Sequence, residues 1–141
     1  MSMFTLAIRL DYGGTVYVIT DDGYLSAKRG SDGGTLWSYK MGKAASSVTS
    51  PVVVNGVVYA AALVSSGKVG GSDGYVYALQ ASDGHPVWQY KLGLNVIPAL
   101  TTGQGTIYVM SRDNLLYALQ AKTGVVLWKA HIPTGGAARV P

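Results

Sequence analysis

Short segments in which apolar and polar residues alternate make up most of the chain. GTVYVIT, GVVYAAA and GTIYVMS are rich in Val, Ile and Tyr, and turns containing glycine, aspartate or asparagine bound them. This composition is typical of strands, and no window shows a sustained helical period. The Asn55–Gly56 pair predicts a two-residue hairpin turn, which needs positive φ at both positions, and Asn114 suits the same left-handed conformation. The pattern therefore predicts an all-β protein of antiparallel hairpins.

The hairpin pattern occurs three times. YLSAKRGSDGGTLW, YVYALQASDGHPVW and LLYALQAKTGVVLW begin at residues 24, 75 and 115. From a hairpin glycine to the tryptophan the distance is 23 residues in copies one and three (37 − 14 and 128 − 105) and 32 in copy two (88 − 56), so the middle copy carries nine extra residues. Units of four short strands at this period are β-propeller blades. We expect three four-stranded antiparallel blades, at about residues 3–41, 48–92 and 96–132, and the start of a fourth at 135–141.

Each copy also contains an alanine, a glycine and a tryptophan in the spacing A-x5-G-x3-W. The positions are Ala27, Gly33 and Trp37, then Ala78, Gly84 and Trp88, then Ala118, Gly124 and Trp128. The motif resembles the tryptophan-docking motif of the pyrroloquinoline-quinone (PQQ) enzyme repeat, whose usual form is YALDAxTGxxLW. The resemblance covers nearly the whole chain and implies a PQQ-like β-propeller. One departure is that Arg29, Gln80 and Gln120 stand where the family usually has Asp.

The tryptophans also have a physical role that does not depend on the family. A Trp on the outermost strand that lies across the next blade would bury ~150–250 Å². At ~25 cal/mol/Å² this is worth roughly 4–6 kcal/mol per blade junction, as an upper bound. The small Ala lets the ring approach, and the Gly turn aims the last strand. We therefore expect the tryptophans to pack between blades rather than to stack on a cofactor.

The length and charge of the chain limit the classes of function it can have. At 141 residues the chain is the size of one domain, and its net charge of +4 comes from basic residues scattered singly, which does not indicate a nucleic-acid groove. There is no apolar run of the ~20 residues that cross a membrane, and MSMFTLAIRLDYGG lacks the features of a signal peptide. The absence of cysteine excludes disulfides and thiolate metal sites.

No catalytic or metal-binding constellation is evident. All seven carboxylates are aspartates that the pattern assigns to turns, and the two histidines, His85 and His131, have no partner at ligand spacing. There is no G-x-S-x-G elbow. The Gly-rich stretch SSGKVGGSDG lacks the strand–loop–helix context of a phosphate loop, so we expect a long flexible loop, most mobile over Val64–Gly71.

The resemblance implies a scaffold rather than a cofactor site. Quinoenzymes of the family hold PQQ on the propeller axis with a calcium ion bound by Glu, Asn and Asp, and many carry a Cys pair over the ring. This chain has no Glu, no Cys and only three predicted blades, so we expect no cofactor. The family implies a periplasmic or extracellular location.

Three blades do not close a ring, because propellers typically have four to eight. We expect one bare apolar blade face of about 400 Å² at each end, worth on the order of 10 kcal/mol when buried. Either the remaining blades belong to a longer chain, or two copies pair as a homodimer with six blades. In the second case the segment Ala137–Pro141 would lie against the partner's first blade.

Two classes of function remain open. The first is a non-catalytic scaffold or binding module whose loops contact a protein or a glycan. The second is a fragment of a quinone-dependent dehydrogenase whose site lies in missing blades. For the first class, the loops of one rim predict a mildly basic contact set: Lys43, Ser46, Ser47, Lys68, Asn95, Arg112 and Arg139.

Overall fold

A computed structural model describes residues 5–10, 13–46, 48–65, 72–94, 99–110 and 114–132. Within these ranges the regular structure is entirely strand, in three antiparallel sheets. The strands are β1 Thr5–Leu10, β2 Thr15–Thr20, β3 Tyr24–Arg29, β4 Thr35–Lys40, β5 Ala44–Ser46, β6 Val52–Val54, β7 Val57–Ser65, β8 Ser72–Gln80, β9 Pro86–Leu94, β10 Ala99–Gly103, β11 Thr106–Met110, β12 Leu115–Gln120 and β13 Val126–His131. Blade 1 is β1–β4, blade 2 is β5–β9 and blade 3 is β10–β13. The all-β expectation is confirmed.

The three blades share one strand register. In blade 1 the order is β1-β2-β3-β4, and the row across the second, third and fourth strands reads Tyr17, Ala27, Trp37. The corresponding rows in blades 2 and 3 are Tyr59, Ala78, Trp88 and Tyr108, Ala118, Trp128. Because side chains alternate between the faces of a strand, each row lies on one face of its blade. The three tryptophans therefore face the same way along the stack.

Blade 2 differs from the four strands expected. Its first strand is divided in two, β5 and β6, which both pair with β7, and the buried Pro51 lies between them. Proline cannot donate to a ladder, so a break at this point is expected. Blade 2 therefore begins at Ala44, a few residues before the expected boundary.

The extra residues of the middle copy lengthen a hairpin. Strands β7, β8 and β9 each have nine residues. The flexible loop expected over Val64–Gly71 is wrong at its start, since Val64 is buried and lies in β7. The loop expected over SSGKVGGSDG is wrong at its other end as well, because Ser72–Gly74 pair with β7 as the beginning of β8. Residues 66–71 lie outside the described ranges.

The predicted hairpin turn at Asn55–Gly56 is confirmed, with φ of 51° and 78°. Asn114 has φ of 67°, as its residue type suggested. Gln104 and Gly105 adopt the same pair of angles, 50° and 79°, although Gln is not a favoured left-handed residue. A following glycine therefore suffices for this turn.

The core lies between the blades. One cluster joins blade 1 to blade 2 and includes Tyr17, Leu25, Val58 and Leu79. A second cluster joins blade 2 to blade 3. The protein is thus an incomplete propeller of three blades stacked face to face, and the described part contains no helix of the length and apolarity that a membrane crossing requires.

Candidate functional site

One rim of the stack carries the segment that links blade 1 to blade 2. Met41 N donates to Gly23 O at 2.7 Å, and Ala45 N donates to Asp21 O at 3.0 Å, so the link runs beside the β2–β3 turn. Lys43 and Ser46, two residues of the predicted contact set, are exposed there. The other predicted contact residues and the fourth-blade segment 135–141 lie outside the described residues; these contact residues are Ser47, Lys68, Asn95, Arg112 and Arg139.

The joint between blades 1 and 2 is built around Trp37. Its indole Nε1–H donates to Ala81 O of blade 2 at 2.8 Å, and the ring is only 8 % exposed. Gly84 has φ of 77°, and a Cβ at this position would lie 2.5 Å from Trp37 Cε3. The indole therefore occupies the space that any side chain at position 84 would need.

The joint between blades 2 and 3 repeats this arrangement with Trp88. Its Nε1–H donates to Ala121 O at 2.8 Å, and a Cβ at Gly124 would lie 2.6 Å from the ring. The Tyr59 hydroxyl donates to the same carbonyl at 3.1 Å. Burial raises the pKa of Tyr59 above its usual value. At both joints a glycine leaves the space that the indole ring occupies, and we call this space the glycine seat. The sequence alone indicates only a role in the turn for these glycines.

The third tryptophan, Trp128, lies on the outer face of blade 3, where the described residues provide no further blade. Trp128 is 46 % exposed, and within the described part of the chain its indole N–H has no acceptor. Its ring nevertheless lies 6.1 Å from Tyr108 with an interplanar angle of 49°, close to the 6.1 Å and 47° of the buried pair Tyr17–Trp37. Trp128 therefore already has the orientation of a tryptophan in a joint.

Blade 1 carries the opposite half of such a joint, and no tryptophan of the described ranges lies on it. Gly30 N donates to Gly14 O at 2.8 Å, as Ala81 N donates to Gly56 O at 2.8 Å in blade 2. Gly33 has the φ of 77° seen at Gly84, but a Cβ there would have no other atom of the described residues within 4 Å. The turn is therefore folded like its two counterparts, without an indole on it.

The outer face of blade 1 is not apolar throughout, contrary to expectation. Lys28 stands opposite Val16 in the register, where blade 2 has the fully buried Leu79 opposite Val58. Ser26, which stands where blade 2 has Tyr77, bonds the exposed Ser38 at 2.9 Å between their hydroxyl oxygens.

This face is apolar only near its inner strands. Ile8 is 61 % exposed there, and Val16 and Val18 are partly buried. The blade 3 face is more apolar: Met110 and Leu116 are partly buried beside Trp128. The two ends of the stack are therefore chemically different.

The titratable groups do not assemble into a reactive centre in the described residues. Asp32 Oδ1 accepts from Gly34 N at 2.9 Å, and this bond, with the Arg29 guanidinium 3.0 Å away, lowers the pKa of Asp32. Asp83 Oδ1 accepts from His85 N at 2.9 Å. These two aspartates have the turn role that the sequence indicates. No three acidic or histidine side chains of the described residues could share a metal ion.

Asp73 is an exception to the predicted turn positions. It lies in β8, and its Oδ2 is 3.7 Å from Lys91 Nζ. Nearby Tyr77 is 2 % exposed, and burial, followed by the neighbouring Tyr39 and Tyr75, raises the pKa of Tyr77 strongly. This end of the long hairpin is thus a structural region rather than a loop.

Comparison with known proteins agrees with the geometry. BamB of Yersinia pestis, an outer membrane protein assembly factor, is 26 % identical over 135 residues, which is 84 % of this chain and 32 % of that protein. The quinohemoprotein alcohol dehydrogenase ADH-IIG of Pseudomonas putida is 32 % identical over 106 residues, which is 67 % of this chain and 14 % of that protein. The chain thus spans at most about a third of the length of these curated relatives.

A solved structure gives the same fold. BamB from Moraxella catarrhalis superposes with a TM-score of 0.67 at 21 % identity, over 94 % of this chain and 39 % of that one. The family model described as outer membrane protein assembly factor BamB matches residues 5–91 and 68–140. The chain therefore belongs to the PQQ-like β-propeller family that this model represents.

Proposed function

We propose that this chain is a non-catalytic β-propeller unit that binds protein partners. The observation that carries the proposal is the match to an outer membrane protein assembly factor over 84 % of the chain. The side chains support it: the sequence contains no Glu and no Cys, and Asp32 and Asp83 are engaged in turns. The apolar end face of blade 3 is a surface of the kind that marks association sites.

The proposal extends to assembly and location. The A-x5-G-x3-W positions act as a tryptophan-docking motif that stacks blades. Two copies pair their end faces in a homodimer with six blades. The alternative is that the remaining blades belong to a longer chain. Four faces of about 400 Å² would bury about 1,600 Å², the standard size of a specific interface. The unit works in the periplasm or outside the cell.

The rim can be tested with a unique chemical label, because the sequence has no cysteine. A thiol-reactive photo-crosslinker attached to Lys43→Cys would lie on the exposed rim. The same label on Lys122→Cys, in the exposed β12–β13 turn, is the matched control. We expect a discrete protein adduct from the rim label in a periplasmic fraction and none from the control. If the rim label yields only glycan adducts, the ligand is a glycan; equal adducts from both labels would contradict a specific rim site.

The second candidate is a dehydrogenase fragment, favoured by the 32 % identity to the Pseudomonas putida enzyme. The two functions differ in their response to PQQ and calcium. A scaffold should show no change in melting temperature when both are added, because binding to the folded state would raise it. A saturable rise would support the dehydrogenase and contradict the scaffold.

A further inference from the structure

The two ends of the stack carry the separated halves of one joint. Each interior joint needs a tryptophan on the last strand of one blade, a carbonyl in the last hairpin turn of the next blade, and a glycine three residues after that carbonyl. Among the described residues, the Trp128 indole N–H of blade 3 has no acceptor, and in blade 1 no other atom lies within 4 Å of a Cβ placed at Gly33. Both halves lie on the same polypeptide but at opposite ends.

We propose that Trp128 of one copy docks on the Gly30–Gly34 turn of a second copy. The indole would lie on Gly33, and its Nε1–H would donate to Gly30 O. This inference rests on the proposed self-assembly and names the site through which it occurs. It gives the assembly a direction: the end of blade 3 always meets the beginning of blade 1.

The backbone of the acceptor turn supports this occupant. Gly33 N donates to Arg29 O at 2.7 Å, as Gly84 N donates to Gln80 O at 2.8 Å. Arg29 N donates to Gly34 O, as Gln80 N donates to His85 O, at 2.7 and 2.8 Å. An indole that fits the turn of blade 2 therefore meets the same main-chain geometry in blade 1.

The rest of the two faces also fits a second copy. On blade 1, the exposed Ile8 and the partly buried Val16 and Val18 form an apolar strip; on blade 3, Tyr108, Met110 and Leu116 are partly buried apolar residues.

The outer part of the blade 1 face sets the strength of this contact. Lys28 occupies the repeat position of Leu79, and its Nζ donates to Thr35 Oγ1 at 2.6 Å. A lysine can cover apolar surface with its stem while its ammonium group stays in water, but it contributes less than leucine. The joint between copies should therefore be weaker than the two interior joints and reversible with dilution.

The test is sedimentation of the 141-residue chain over a range of micromolar concentrations. We expect a concentration-dependent shift from 14.8 kDa to twice that mass. Trp128→Ala and Gly33→Asn should each weaken association at least tenfold. Asn tolerates positive φ, and its side chain would occupy the seat of the indole. Gly56→Asn is the matched control, since Gly56 also has φ of 78° and open space around it, and it should associate like the unmodified chain.

Mixing the two variants makes the test specific. The Trp128→Ala chain keeps an intact seat and the Gly33→Asn chain keeps an intact tryptophan, so an equimolar mixture can form one joint that neither can form alone. We expect the mixture to associate more strongly than either variant and Lys28→Leu to associate more strongly than the unmodified chain.

Three results would overturn the proposal. The first is a monomer at every concentration with Trp128 open to acrylamide quenching. The second is quenching protection that does not change with concentration, which would assign residues 133–141 as the cover. The third is a dimer that both variants leave intact. None of these depends on PQQ, so the melting-temperature experiment tests the scaffold function separately.

Discussion

Lys28 of blade 1 and Leu79 of blade 2 occupy the same position of the repeat, and so do Ser26 and Tyr77. In blade 2 both residues are buried and apolar or aromatic, with blade 1 beside them. In blade 1 the same positions lie on the outer face of the stack, where Lys28 is partly buried and the buried Ser26 is polar. The strand register is shared, so the difference arises from what covers each face. Blades 1 and 2 therefore have the same strand register, while the chemistry of their corresponding faces differs.

Exchanging the residues at this position should give the largest effect. Leu79→Lys places an unpaired ammonium group in the joint with blade 1, and we expect a loss of about 4 kcal/mol or more in the free energy of unfolding. Lys28→Leu should change stability by less than about 0.5 kcal/mol. Urea unfolding measures both. Similar losses for the two exchanges would mean that the faces are equally buried.

The next largest effect is expected for the tryptophans, because Trp88 lies in a joint between blades and Trp128 lies on the outer face of blade 3. Trp88→Ala removes a packed indole and the bond to Ala121 O, so we expect a loss of about 3–5 kcal/mol. Trp128→Ala should cost less than about 1 kcal/mol, measured at concentrations where the chain is a monomer. Equal urea midpoints would show that the joints contribute little to stability.

The glycine seats should separate backbone strain from the contact with the ring. Gly33→Ala should cost about 1–2 kcal/mol, because alanine is disfavoured at positive φ. Gly84→Ala has the same φ and must also displace the Trp37 ring, which should add about 1–3 kcal/mol. The difference between the two thermal unfolding curves measures the ring contact alone. An identical loss would place the indole away from Gly84 in solution.

The smallest effect should appear at alkaline pH, through Tyr77. Burial raises its pKa above the value of about 10 in the unfolded chain, so the folded state keeps its proton longer. Its stabilising contribution is complete below pH 10 and is lost as the pH rises beyond it, with a limiting slope of about 1.4 kcal/mol per pH unit. Tyr77→Phe should remove this slope. An unchanged alkaline transition in the Phe variant would assign the loss to other groups.

Local sequence predicted the hairpins well because a two-residue turn depends on its own residues. Asn55 and Asn114 have the left-handed conformation that their residue types suggest. The SSGKVGGSDG stretch was misinterpreted because glycine content does not distinguish a loop from a strand whose pairing is long-range. Gly74 lies in β8 opposite Gly93 of β9, a contact that no local pattern contains.

The sequence likewise predicts one part of the candidate site and not the other. The spacing identified all three tryptophans, since a repeat makes them visible. Their acceptors, Ala81 O and Ala121 O, are main-chain atoms and leave no trace in residue type. The polar face of blade 1 is visible in the sequence, because aligning the copies places Lys28 at the position of Leu79. Only the packing of the blades, however, shows that this position of the repeat faces a neighbouring blade.

In the turn that receives each indole, the hydrogen-bond acceptor is a carbonyl oxygen and the space for the ring is left by a glycine, so both features belong to the main chain. Most side chains of the turn are thus free to vary, as Arg29, Gln80 and Gln120 do at one position of the repeat. A blade copied within a gene would bring both the tryptophan and the turn that receives one, so only the residues of its faces, such as Lys28, would have to suit the new neighbour. Growth and shortening of such arrays by duplication and deletion of whole repeats is therefore easy for evolution, and sequence drift in the turns does not prevent it as long as the glycine and the tryptophan remain.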